Sequence, residues 1–179
     1  MLFRSVGFGL SNDERRGRTS DFAGAFAIAE RAGLLLAPHG GELRGPEHIR
    51  VCLDDLHAGR LGHGVRAAED PALLARIVDA GVALEVCPVS NVALGVYSDL
   101  TSVPLPTLLE AGATIALGAD DPLLFGSRLA GQYATMRAAH ELSDEQLAEL
   151  ARMSFRASRA PKDVVDAGLA GIDAWLASA

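Results

Sequence analysis

Cysteine is close to absent. The 179 residues hold two, Cys52 and Cys87, far apart and in no C-x-x-C pair, which argues against a zinc knuckle and a disulfide framework. A reducing compartment is the expectation. Positive charge is also short. Sixteen Lys and Arg against 23 Asp and Glu leave a net charge of −7, so a nucleic-acid partner is not expected and a small neutral or weakly charged substrate is left open. No apolar run approaches the ~20 residues of a membrane span, so no membrane partner is expected either. The opening "MLFRSVGFGL" is too short and glycine-rich for a signal peptide, and the expected location is cytoplasmic. Low-complexity linkers and true repeats are missing. Only 22% of residues are charged and 49% are apolar, which disfavours disorder and allows a real core. One domain over residues 1–179 is the expectation.

Short apolar runs recur: "VGFGL", "GLLLAPHG", "GRLGHGV", "VALEVCP" and "ATIALGADD". Each has strand length, and parallel strands are expected at 6–10, 34–38, 60–62, 83–87 and 114–117. Helix-like segments lie between them, at 21–32, 46–57, 70–80 and 106–111, and the tail is helical, with Ser143 and Gln146 forming a capping box. Nearly continuous apolar strands alternating with helices imply a parallel sheet covered by helices. "RAG", "DAG" and "EAG" precede three strands and read as helix ends with a glycine stop. Polar and reactive residues gather instead after the strands: Ser11 to Glu14, His39 with Glu42, His63, Ser90-Asn91, and Asp120-Asp121. That asymmetry belongs to α/β barrels, whose chemistry sits at the strand C-terminal ends, and also to doubly wound sheets.

His39 closes an apolar run. Gly40-Gly41 permits a tight turn that lets His39 and Glu42 face one cavity. His63, flanked by glycines, leaves backbone room for a ligand. Asp120 and Asp121 put two carboxylates side by side at a strand end, which is costly unless a cation sits there. Asp121 alone also reads as the N-cap of a helix begun by Pro122, but Asp120 then has no role. Glu85 and Cys87 point to the same side of their strand, Glu85 toward a cation in the interior and Cys87 as a small apolar residue. His48, His57 and His140 read as surface or packing residues in helix-like segments. Arg15, Arg16 and Arg18 read as a solvated loop.

"HGGE", "RLGHG", "CPVSN" and "LGADDPLLFG", in this order and spacing, resemble the adenosine/adenine deaminase family of zinc aminohydrolases. "VGFGLSNDE" and "MSFRAS" resemble its fourth-strand segment and its C-terminal helix. The resemblance implies the C-terminal part, about five strands, of a metal-dependent-hydrolase (β/α)8 barrel. It implies hydrolytic removal of the 6-amino group of a purine nucleoside. His39 matches a zinc-ligating histidine and Asp120 the carboxylate zinc ligand. Glu42 matches the acid that protonates purine N1, and His63 the histidine that polarises the zinc-bound water. Asp121 matches the residue facing purine N7. A zinc ion with an open position for water, and a carboxyl whose pKa is raised in a closed pocket, suit that chemistry.

Two departures stand out. The family's H-x-H pair, which supplies two further zinc ligands, is nowhere in the sequence. The chain therefore reads as a piece of the family fold, with its open barrel edges available for a homo-oligomer, and the isolated chain is expected to be inactive. An inactive remnant or non-catalytic subunit is the alternative. In the fourth-strand segment Asn12 stands where the family commonly has a glycine whose N–H faces purine N3. Asn tolerates left-handed backbone, so Asn12 remains a substrate-binding candidate. The change opens the aminodeoxyfutalosine deaminases of menaquinone biosynthesis as a branch, with Arg15, Arg16 or Arg18 meeting a substrate carboxylate. A cytidine-deaminase-type site needs H-x-E and P-C-x-x-C, and neither is present.

Overall fold

The computed structural model describes residues 5–178. Four strands, β1 (Gly7–Leu10), β2 (Leu35–Gly40), β3 (Arg60–His63) and β4 (Ala83–Glu85), lie side by side in chain order, every pair parallel. The fifth expected strand is reduced to a parallel bridge between Leu84 and Ile115. Its ladder is nonetheless present: Leu84 N–H donates to Thr114 O at 2.9 Å, Ala116 N–H to Leu84 O at 2.8 Å and Gly118 N–H to Val86 O at 2.8 Å. Five consecutive parallel staves are therefore in place. Among the described residues, neither the outer edge of β1 nor the far side of the 114–117 segment pairs with another strand. Phe8 in β1 and Val6 just before it are exposed, which is unusual for an apolar strand.

Helices α1 (Ala23–Arg31), α2 (Pro46–Asp54) and α3 (Pro71–Asp79) fall where the sequence places them, shortened by one to three residues at an end, and α5 (Leu105–Glu110) is shifted by one residue. Asp70 caps α3 by accepting from Leu73 N at 3.0 Å, and Pro71 takes the first position, where its missing N–H costs nothing. Gly33, Gly81 and Gly112, each after an Ala, take φ of +74°, +65° and +83° and end the helices as expected. Two helices were not placed from sequence, α4 (Pro88–Ala93) and, as a distinct element, α7 (Leu129–His140), while α6 (Pro122–Phe125) is the short helix that Pro122 begins and Asp121 caps. Pro88 opens α4 and so stops β4 at Glu85, two residues early. His57 lies beyond α2, at φ +50°, and not in a helix.

The tail holds α8 (Asp144–Arg156) and α9 (Lys162–Ser178). The capping box of α8 forms, with Ser143 Oγ accepting from Gln146 N and Gln146 Oε1 accepting from Ser143 N. The core fills the space between the staves and their helices, with Leu61, Ile77, Leu84, Leu105, Leu108, Ile115, Met136 and Leu150 fully buried. No described helix is long and apolar enough to cross a membrane.

Candidate active site

Parallel register brings the reactive residues to one end of the staves. His39 pairs with Gly62 and Gly40 with His63, so the two histidines arrive side by side. Their rings meet edge to face with centroids 4.9 Å apart. Gly62 makes room for this: a Cβ there would lie 2.4 Å from His39 Cδ2 and 3.0 Å from Nε2. After His39 the chain turns at Gly41, at φ +76°, and Glu42 comes back beside His63. Glu42 is buried. Its Oε1 accepts from Asn91 Nδ2 at 3.1 Å and lies 3.2 Å from His63 Nδ1.

His63 Nδ1 sits between Glu42 Oε1 and Asn91 Nδ2, and Nε2 is the ring nitrogen on the far side. It lies 3.9 Å from Asp120 Oδ2. His39, His63, Glu85, Cys87 and Asp120 border one cavity of about 350 Å³. Burial pushes the Glu42 carboxyl up to about 7, and the charges of Glu14 and Asp120 push the same way against the Asn91 hydrogen bond. Burial, followed by the nearby His39, pushes the His63 imidazole down to about 4. Near neutral pH the site thus holds a carboxyl near its titration midpoint beside a neutral imidazole.

Three site candidates sit on unusual backbone. Asn12, His63 and Asp120 have φ of +98°, +64° and +54°. Such conformations cost about 1–3 kcal/mol each and cluster at functional sites. Asn12 does take the left-handed side, and its Oδ1 accepts from Asp13 N at 2.8 Å. Asp121 caps α6, its Oδ1 accepting from Leu123 N and Leu124 N at 3.1 and 3.2 Å. Asp120 stays free of that cap and faces His63. Glu85 meets the interior cation anticipated for it: Arg60 Nη1 lies 3.1 Å from its Oε1. Both cysteines are buried thiols, pushed up to about 12 by desolvation, and so poor nucleophiles. Arg15 is held on Asp13, with Nε and Nη2 donating at 2.8 and 3.1 Å.

The residues fit a divalent metal of zinc's preferences. Potential ligand atoms of His39, Glu42 and His63, and again of His63, Cys87 and Asp120, lie within 4.8 Å of one another. That is close to what two bonds of about 2.0–2.3 Å to a shared ion span.

Four contributors were not assigned roles from sequence. Asn91 bridges Glu42 and His63, its Nδ2 3.4 Å from His63 Nδ1. Glu14 and His48 are buried behind the turn that carries Glu42, with Thr19 against His48. Of the surface and packing readings of His48, the structure bears out packing: the ring is buried, with Nδ1 3.5 Å from Glu14 Oε2. The polar cluster after β1 pointed to Glu14, but no residue type singled it out.

A family model described as adenosine deaminase matches residues 4–175. A Streptomyces virginiae protein provisionally described as an adenosine/adenine deaminase is 67% identical over 171 residues, covering 96% of this chain and 50% of that protein. The crystal structure of adenine deaminase from Arthrobacter aurescens superposes with a TM-score of 0.91 at 33% identity, covering 96% of this chain and 52% of that one. A cog1816 amidohydrolase from Burkhoderia ambifaria, solved with bound Zn, shares the fold at a TM-score of 0.83 and 20% identity, covering 97% of this chain and 51% of that one. The chain spans about half the length of the curated relatives it matches.

Proposed function

Because the chain belongs to the adenosine deaminase family, we propose that it carries the C-terminal half of a site that hydrolyses the amino group of a 6-aminopurine, with adenine as the favoured substrate. The observation that carries this reading is the buried Glu42, its carboxyl pushed up to about 7, hydrogen-bonded to Asn91 and 3.2 Å from His63, which borders the cavity that Asp120 also lines.

The overall reaction replaces a C–NH2 bond with C=O, consuming water and releasing ammonia. Glu42 holds a proton at the oxygen not engaged by Asn91 and His63, and delivers it to N1 of the ring as water adds to C6. Neutral His63 accepts a hydrogen bond from that water at Nε2, and the Asp120 carboxylate orients it from the other side. One proton of the water passes to the departing amine through these two acceptors, and the second, released as C–OH becomes C=O, returns to Glu42. Asn12 presents its N–H to N3. Asp121, whose Oδ2 is free of the helix cap, faces N7. Free adenine carries a mobile ring proton that N7 can hold, which a carboxylate accepts, whereas a nucleoside offers only a bare nitrogen there. The carboxyaryl analogue is less well served at Arg15, whose Nε and Nη2 hold Asp13.

A zinc ion held by His39 and Asp120 would supply Lewis acidity and lower the pKa of water at the site. Catalytic zinc takes three or more protein ligands, and the sequence contains no H-x-H pair. We assign the remaining ligands to residues outside these 179, on the same polypeptide or another, docked on the outer edges of β1 and the 114–117 segment. The isolated chain is then inactive, and its edges favour self-association. The test joins this chain to a family segment bearing H-x-H, loads zinc, and follows ultraviolet absorbance with adenine and with adenosine. Deamination of adenine in preference to adenosine supports the reading. Failure on both, in a folded zinc-loaded protein, refutes it.

A further inference from the structure

After β2 the chain runs through Gly41, Glu42, Leu43 and Arg44 before α2 starts at Pro46. The N–H groups of residues 42–44 all point into one carboxylate. Glu14 Oε2 accepts from Glu42 N at 3.2 Å, Leu43 N at 2.9 Å and Arg44 N at 2.8 Å, while its Oε1 accepts from Glu42 N at 3.1 Å. Glu14 reaches in from the loop after β1, and its side chain is 1% exposed. Behind it stands His48, with Nδ1 3.5 Å from Glu14 Oε2, within ion-pair reach but outside hydrogen-bond geometry. The other ring nitrogen of His48 is 2.7 Å from Thr19 Oγ1.

The opposite side of the turn is closed by α2. A Cβ on Gly41 would meet Ile49 Cδ1 at 2.4 Å, and one on Gly40 would meet Cys52 Sγ at 2.7 Å. The turn is gripped between a helix and a buried carboxylate. One of the three gripped amides belongs to Glu42 itself, so a shift of the Glu14 carboxylate shifts the backbone from which the proton donor hangs. A buried carboxylate is tolerated when several N–H groups solvate it, and here the three that do so belong to the loop carrying the acid.

We propose that Glu14 is a positioning residue for the reaction, holding Glu42 at the height from which its carboxyl reaches the substrate ring. This rests on the deaminase reading above. The first test is backbone amide exchange in the 179-residue chain. Glu14→Gln keeps the shape but loses the charge and replaces an acceptor with a donor. Exchange at Glu42, Leu43 and Arg44 should quicken by roughly tenfold or more, while Leu61 and Leu84 in the staves stay as they are. If Glu14→Gln does not fold, Thr19→Val, which removes only the hydroxyl behind His48, should loosen the same three amides.

The second test uses the zinc-loaded protein completed with its H-x-H residues. Glu14→Gln should lower kcat by about 100-fold, the scale of an ångström misplacement, with KM and zinc content little changed. Unchanged exchange at residues 42–44 in a folded variant overturns the proposal. So does a retained kcat, or a loss of zinc and substrate binding along with turnover. If the wild-type completed protein deaminates no 6-aminopurine, the deaminase reading fails and the catalytic purpose of the grip fails with it. The exchange result still separately reports whether Glu14 holds the turn.

Discussion

Gly62→Ala should damage the metal site far more than it damages the fold. Gly62 faces His39 across the β2–β3 ladder, and a Cβ there would approach His39 Cδ2 to 2.4 Å and Nε2 to 3.0 Å. An ordinary contact begins near 3.4 Å, so the ring must retreat by about 1 Å. It has somewhere to go, since His39 is only half-buried and borders the cavity. The stability loss should therefore fall at the lower end of the about 1–3 kcal/mol typical of overpacking. Ligation is less forgiving, because metal–nitrogen bonds near 2.0–2.1 Å leave about 0.2 Å of slack. In the completed protein, zinc affinity measured by chelator competition should drop about 10–100-fold, with turnover falling at least in step. Urea unfolding of the same variant gives the stability change. Wild-type zinc affinity in a folded Gly62→Ala protein would refute the placement of His39 as a ligand against the β3 backbone.

Glu42→Gln in the completed protein should abolish turnover yet leave zinc bound, whereas Asp120→Ala should lose both; elemental analysis beside the absorbance assay separates the two. Gly24, inside α1, has open space around its missing side chain, so Gly24→Ala should stabilise the chain by about 0.5–1 kcal/mol in urea unfolding, and a destabilised variant would mean another surface packs there. Burial pushes the Glu14 carboxyl up, but the facing His48 ring and the backbone N–H groups of Arg44 and Glu42 together hold it below its ordinary value of 4.5. Its contribution is therefore full above pH 4.5 and lost as pH falls through the lower folded value, so the stability gap between wild type and Glu14→Gln should close in acid, as read by unfolding at successive pH values.

The order of the staves and the end that bears the chemistry were legible because both depend on patterns the chain repeats. Apolar runs stop at His39, His63 and Asp120, and Ala-Gly stops precede three of the strands. Helix starts were legible where a cap announced them, as at Asp70 and Ser143. What stayed hidden depends on contact across the fold. Asn91 reaches Glu42 over 49 positions, and Glu14 reaches the 42–44 turn over 28 to 30, so no spacing rule connects them. The sequence leaves His48 open as a surface or packing residue, since its neighbours Glu47 and Arg50 are polar. Its burial comes from Thr19 and Glu14 arriving from another loop. The fifth stave was overdrawn as a regular strand. Its hydrogen bonds are all present, but it has a neighbour on one side only, and strand character is weakest at an edge.

Asn12, His63 and Asp120 follow the first, third and fifth staves, and each carries a positive φ that a residue with a side chain rarely adopts. If these conformations were accidents of loop closure, glycine would serve better at all three, and the chain uses glycine freely for such turns elsewhere, at Gly33, Gly81 and Gly112. His57 and Glu141 carry the same conformation away from the site, so it is the position of these three at the stave ends, together with the conformation, that marks them. At His63 the strain aims Nε2 toward Asp120 while Nδ1 stays on Glu42. At Asp120 it turns the carboxylate away from the helix cap that Asp121 supplies and toward the histidines. The helix cap and the reactive carboxylate need opposite orientations, and two adjacent aspartates on either side of a left-handed turn satisfy both.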